Sequence, residues 1–244
     1  MSALAVPTRR DEDFRYADLT ALEPLWPVAA EKIVLGADET DARSIVLDAP
    51  NDVARELDIE LGAGAKLDLR LLNAGGAYGR FALTVTLGEG ADLQFGAAQL
   101  GSGEQTLEIV STVRHAAPDA VSRQVIRSVL AGHATGTFLG KVAVERGADG
   151  TDAEQSVRAM LLDRTATANA RPELEIFADD VKCAHGCAVG ELDAQALFYM
   201  ASRGLPPAEA KKLMLQAFIA EAFVGAAHEE ELTAAALKRL ERLV

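Results

Sequence analysis

The densest group of chemically useful side chains is Asp179-Asp180-Val181-Lys182-Cys183-Ala184-His185-Gly186-Cys187. Cys183, His185 and Cys187 offer sulfur, nitrogen and sulfur donors, a set suited to a thiophilic or borderline metal. On a strand these three positions share one face, but they spread over about 13 Å. One ion would reach all three only if the chain turned near Gly186. A closed structural zinc site needs four ligands, and no second Cys or His pair supplies them. Against a ligand role stands a plainer reading, with Cys183 as a small buried hydrophobe and His185 as a satisfied histidine. Lys182 would lower the Cys183 thiol pKa only from the same face, and adjacent strand residues point oppositely.

Other reactive sets are thinner. His115, Asp119 and Ser122 could be picked out as a Ser/His/Asp set, but no Gly-x-Ser-x-Gly elbow carries the serine. No Walker-type phosphate loop occurs, so ATP hydrolysis by this chain is not expected. His133 and His228 read as surface residues. The only two cysteines lie four residues apart, too few and too close for a disulfide framework, and they read as thiols of a reducing compartment.

Composition narrows the partners. Acidic residues outnumber basic ones by 37 to 24, and the net charge of −13 argues against nucleic acid, whose phosphates need a basic patch. No run approaches the roughly 18–20 apolar residues of a membrane span. Met1 to Arg10 has no apolar core of signal-peptide length. A cytoplasmic protein is therefore expected. Aromatic residues are only 5% of the chain, so Leu, Val and Ala must fill the core.

The elements that must position the cysteine segment follow from pattern. Residues 1–40 read as a charged, proline-punctuated lead-in. Residues 41–190 read as strands. Leu57, Ile59 and Leu61 precede Gly62-Ala63-Gly64-Ala65 and then Leu67, Leu69 and Leu71. The pattern returns in Leu83, Val85 and Leu87, Gly88-Glu89-Gly90-Ala91, then Leu93 and Phe95. Alternate residues share a strand face, and the glycines permit corners with positive φ. Positions 61, 67 and 69 map onto 87, 93 and 95, an offset of 26 residues that marks stacked repeat units. Val142, Val144 and Gly147-Ala148 look like a third, degraded copy. A β-solenoid, specifically a parallel β-helix, fits this pattern, with a β-sandwich as the competitor.

Residues 191–244 change period to that of helices. Asp193 caps a helix through Leu197 and Met200 that stops at Gly204. Pro206 and Pro207 open a second helix, on which Leu213, Ala217, Ala220 and Val224 line one face and Met214 and Phe218 widen it. A third runs from Glu229-Glu230-Glu231 to Lys238 and Arg239, a polarity suited to the helix dipole. Its apolar stripe is Leu232, Ala236, Leu240 and Leu243.

Arg171-Pro-Glu-Leu-Glu-Ile-Phe-Ala-Asp-Asp-Val-Lys-Cys-Ala-His-Gly-Cys-Ala-Val-Gly-Glu-Leu-Asp193 closely resembles the SufB/SufD family, in its SufD form. Ala196-Leu-Phe-Tyr-Met-Ala-Ser-Arg-Gly204 matches the family's step into its helical tail. His115-Ala-Ala-Pro-Asp119, Gly136-Thr-Phe-Leu-Gly-Lys141, Thr151-Asp-Ala-Glu-Gln155 and Pro7-Thr-Arg-Arg-Asp-Glu12 add to the likeness. Lys182-Cys-Ala-His-Gly186 stands where SufB proteins show a Glu-His-Glu-Ala type sequence. Ala217-Phe-Ile-Ala-Glu221 replaces their Gly-Phe-Phe pattern. Cys187 departs from the family, which more often has a small residue there, and reads as a substitute for it in a packed spot. The chain is also short for the family, with the missing length in its N-terminal helical region.

The resemblance implies a right-handed parallel β-helix followed by a small C-terminal α-helical domain. It implies a non-catalytic scaffold subunit of the SUF iron–sulfur assembly complex, with SufB and the SufC ATPase as partners. SufB would be met through the ends of the β-helices, with a homodimer as the alternative where SufB is absent. Cys183 and His185, and more weakly Cys187, become candidate iron or cluster ligands at the SufB interface. The cluster would be held transiently there and not stably by this chain alone. The ATPase would dock on the tail around Arg203, Gly204, Leu213 and Phe218. The alternatives from other classes are a stand-alone metal-binding protein and a carbohydrate-active β-helix enzyme, which would need paired carboxylates on one solenoid face.

Overall fold

The computed structural model describes residues 5–243; the reading of Met1 to Arg10 thus falls partly on residues 1–4, outside the described ones. Twelve strands alternate between two six-stranded parallel sheets. One sheet holds β1 (Ala30–Leu35), β3 (Val53–Leu61), β5 (Tyr78–Leu87), β7 (Thr106–His115), β9 (Thr135–Val144) and β11 (Thr167–Ile176). The other holds β2 (Thr40–Leu47), β4 (Lys66–Asn73), β6 (Asp92–Gly101), β8 (Val121–Leu130), β10 (Asp152–Leu161) and β12 (Lys182–Gly190). Each consecutive pair of strands makes one coil of a solenoid. The first coil begins at Ala30, ahead of the alternation legible in sequence.

The 26-residue offset is one coil. Leu61 stands beside Leu87, Leu67 beside Leu93 and Leu69 beside Phe95. The degraded third copy is genuine: Val142 stacks on Val113, which continues the column Ile33, Ile59, Val85. Later coils lengthen at their corners, which blurs the repeat in sequence. The lumen of the early coils is aliphatic, built on Leu57, Ile59, Leu69, Leu71, Val85 and Leu93, so stacking closes a core that no single coil could bury.

Corners are set by backbone conformation. Residues with φ near +60° recur at Asp38, Gly64, Gly90, Asp119 and Gly150, each linked to the next corner by backbone hydrogen bonds such as Gly64 N–H to Glu89 O at 2.8 Å. At Gly64 the backbone φ of +66° is one that favours glycine, and a Cβ there would also push on Asp38 Oδ1 at 2.3 Å.

A short lead-in, with α1 (Leu19–Leu22), lies against the outer face of the odd-numbered sheet. Arg80 and Glu108, both nearly fully buried, form an ion pair at 2.6 Å. Glu108 also accepts the Asp18 N–H at 3.0 Å, and Arg80 donates to the Asp13 carbonyl at 3.1 Å and stacks on Phe14. Burying two charges is tolerable only when pairing and hydrogen bonds compensate, which this arrangement provides.

The tail has α2 (Ala194–Ser202), α3 (Pro207–Ala220) and α4 (Glu229–Leu240). Asp193 caps α2 through the Gln195 and Ala196 N–H groups, and Gly204 follows in the left-handed region, as the sequence predicts. Leu232, Ala236 and Leu240 are the buried stripe of α4. On α3 the structure differs. The buried face is Ala210, Leu215 and Ile219, continued by Ala222 and Phe223, whereas Leu213 and Val224 are exposed. From Leu213 to Ala220 only Gln216 is polar, so periodicity alone cannot choose the inner face of this stretch. Contact with the solenoid chooses it. Leu215, Ile219 and Phe223 pack on Leu72, Ala98, Leu100 and Val129 of the even-numbered sheet, while Arg127 holds Glu221 at 2.7 Å and Arg70 donates to the Ala222 carbonyl at 3.0 Å.

Candidate functional site

Strand β12 ends the even-numbered sheet, pairing only with β10 among the described strands. It is extended from Lys182 to Gly190 with no turn at Gly186. Register fixes where its side chains point. Cys183 continues the lumenal column Leu67, Leu93, Ser122, Ala153. His185 continues Leu69, Phe95, Gln124, Gln155, and Cys187 continues Leu71, Ala97, Ile126, Val157. All three predicted donors therefore end rows of the lumen, at the last coil, beyond which no described strand continues the sheet.

Cys183 is half-buried against the cluster of Val142, Val144, Ala148 and Ala153. His185 is exposed. Cys187, read from sequence as filling a packed spot, is exposed as well. Burial raises the Cys183 thiol pKa, and Asp152 adds to this while the Ala153 backbone opposes it. Burial likewise raises that of Cys187. Neither thiol is activated within the chain, and Lys182 lends Cys183 no help. Among the described residues no three His, Cys, Asp or Glu side chains converge into a metal-holding group, because an extended strand keeps alternate donors roughly 6–7 Å apart. A metal bound at this end would complete its shell with ligands from elsewhere.

The opposite end of the solenoid is chemically different. The first coil carries Glu31 and Arg43, 3.8 Å apart, with Arg55 on Glu31 at 2.7 Å. Charged residues on a free edge discourage strand addition. The C-terminal rim instead carries exposed Ile176, Phe177 and Val189 around the cysteine segment.

Two further clusters bear on function. His115 and Ser122 meet across the lumen, Nε2 to Oγ at 2.9 Å, but both are fully buried. Among the described residues no carboxylate hydrogen-bonds His115 to complete a triad, and the pair is shut inside the lumen. On the tail, α2 buries none of its residues, and Phe198 is 76% and Tyr199 59% exposed. Arg203 lies over the Tyr199 ring at 5.2 Å and is exposed with Gly204, while Phe218 is half-buried beneath Arg127. Sequence reasoning missed Phe198 and Tyr199 as surface features. Their signal was the adjacency of two aromatics, which cannot both face one core from a helix. His133 and His228 lie at the surface as expected. No described helix is long and apolar enough to cross a membrane.

Comparison with known proteins bears directly on this architecture. The family model described as SUF system FeS cluster assembly, SufBD core domain, matches residues 53–218. An iron–sulfur cluster assembly SufBD family protein of Synechocystis is 34% identical over 164 residues, 67% of this chain and 36% of that protein. The iron–sulfur cluster assembly protein SufD of Escherichia coli is 30% identical over 148 residues, 60% of this chain and 35% of its own length. SufD of Bacillus subtilis is 34% identical over 121 residues, 50% of this chain and 28% of its own. The chain spans about a third of the length of the curated relatives it matches. With the matched span running from β3 through the cysteine-bearing β12 and into α3, the chain belongs to the SufBD core domain family of the SUF iron–sulfur cluster assembly system.

Proposed function

We propose that this chain is a SufD-type scaffold subunit that supports iron–sulfur cluster assembly in the cytoplasm without catalysing a reaction of its own. Its C-terminal solenoid end pairs with a SufB-type β-helix, and its helical tail docks a SufC-type ATPase. The observation that carries the reading is the position of β12. The soft and borderline donors Cys183 and His185 end lumenal rows at the last coil, beyond which no described strand continues the sheet. A second β-helix added there would continue the sheet and bring the ligands this chain lacks. Cys187, exposed in the same line, is available as a further sulfur. Iron and nascent cluster are cargo in this arrangement. Because burial raises both thiol pKa values, a metal must displace thiol protons as it binds, which suits transient holding better than storage.

The tail reading rests on Phe198 and Tyr199 of α2, Leu213 of α3 and Val224 just beyond it, all large apolar side chains left exposed. Arg203 and Gly204 lie between the two helices.

The test is co-expression with the SufB and SufC proteins of the same organism and purification on a tag carried by this chain alone. Both partners are expected to copurify. Cys183→Ser and His185→Ala are expected to retain the partners but to lose iron and visible cluster absorption after anaerobic reconstitution. Failure of both partners to copurify would leave the family membership and remove the function.

A further inference from the structure

The layer of the lumen that ends in His185 changes character along the axis. Facing residues run Leu57 and Leu69, Leu83 and Phe95, Ser111 and Gln124, Gly140 and Gln155, then Pro172 and His185. In the Ser111 layer the hydroxyl donates to Gln124 Oε1 at 2.9 Å, so that oxygen is satisfied while Gln124 Nε2 is left without a partner. One coil further, glycine replaces the serine. Space is tight there, since a Cβ on Gly140 would lie 2.9 Å from Gln155 Nε2 and 2.4 Å from the Phe138 ring. Gln155 is fully buried, and neither Nε2 nor Oε1 has a hydrogen-bond partner. Leaving a buried amide unsatisfied is costly, and the aliphatic side chain that fills this column at Leu69 would avoid the cost. The next residue in the column is His185, directly in register on β12.

We infer that Gln155 is a positioning residue for His185. The inference rests on the reading of His185 as a ligand. A histidine that binds metal through one ring nitrogen carries a proton on the other, and that N–H needs an acceptor to fix ring orientation and tautomer. The Gln155 amide oxygen, in register on the coil beneath and without a partner of its own, is the acceptor once its head group turns toward the ring. The outward nitrogen then keeps its lone pair for the metal. Gly140 serves this arrangement by leaving the amide without a cross-lumen partner that would compete, as Ser111 does for Gln124.

The test uses the full chain with Gln155→Met, which keeps length and removes the acceptor, and Gln155→Glu, which keeps an acceptor oxygen. Ring nitrogen NMR shifts of metal-free protein report the His185 tautomer. A single dominant tautomer is expected in the wild type and in Gln155→Glu, and the mixture of a free imidazole in Gln155→Met. Anaerobic titration with Co(II), followed by its visible absorption, is expected to show affinity weakened about tenfold or more in Gln155→Met. That loss should vanish when His185 is already Ala. Urea unfolding should show Gln155→Met no less stable than the wild type, which separates positioning from folding, and Gln155→Leu replaces it if the methionine variant misfolds. An unchanged His185 tautomer and unchanged Co(II) affinity in the methionine variant would overturn the inference. If His185→Ala binds Co(II) like the wild type, the ligand reading alone fails, and the tautomer comparison still decides whether Gln155 holds the ring.

Discussion

At the residue scale, His115 is the clearest departure from an aliphatic solenoid. It occupies the column of Leu35, Leu61, Leu87 and Val144. Burial pushes its pKa down to about 4, against the opposing effects of the Ala120 backbone and Asp152. In the unfolded chain a histidine titrates near 6.5. Below about pH 6.5 the unfolded state therefore binds a proton that the folded state refuses. The stability this residue contributes is complete above that pH, falls as pH drops, and is gone below about 4. The slope within the window is about 1.4 kcal/mol per pH unit. His115→Leu should flatten it. Urea unfolding at several pH values between 7 and 4.5 checks this, and parallel curves for variant and wild type would refute it. Ser122 loses its partner in the variant, so the informative quantity is the change with pH and not the absolute stability.

At the scale of elements, the contact between tail and solenoid turns on Gly96 in β6. A Cβ there would lie 1.9 Å from the Ala222 carbonyl oxygen and 2.4 Å from Arg70 Nη1. The first of these is backbone and cannot swing aside, so the segment after α3 must move. Gly96→Ala should cost about 1–3 kcal/mol, in the range of overpacked cores. It should also speed proteolysis of the tail more than of the coils. Limited digestion read by mass spectrometry, beside a urea melt, checks both. Equal protection of the tail in both proteins would mean that the helices sit independently of this contact. The same junction holds Arg127, nearly buried and paired with Glu221, so the tail is tied to β8 by charge as well as by packing.

At the scale of the whole molecule, the two ends of the solenoid and the tail differ in surface chemistry. The N-terminal coil presents charge, the C-terminal coil presents Cys183 and His185 with an apolar rim, and α2 and α3 present exposed aromatic and aliphatic side chains. If the tail docks the ATPase, Phe198→Asp with Leu213→Asp should weaken that association tenfold or more while leaving SufB pairing intact. Because both residues lie at the surface, the thermal midpoint should hardly move. Sedimentation or calorimetric titration with the purified ATPase checks the first statement, and a melting curve the second. Undiminished ATPase affinity would shift docking to another face of the tail.

Much of this protein was legible in its sequence because it depends on local periodicity. Alternation with a fixed offset specifies stacked coils, since only an adjacent copy can bury each apolar row, and Leu61, Leu67 and Leu69 lie beside their counterparts one coil on. Asp193, Gly204 and the stripe of α4 follow from capping and a 3.6-residue period. The cysteine segment stands out in the sequence by residue type, as a candidate site only. What only the tertiary structure decided is relational. Strand register placed Cys183, His185 and Cys187 at the ends of lumenal rows and put Gln155 beneath His185, and docking on the even-numbered sheet chose the inner face of α3. The polar lumen of the later coils was hidden for the same reason. Ser111, His115, Ser122 and Gln124 are ordinary strand residues until β7 and β8, joined by one corner, face each other across the lumen and leave their side chains no water.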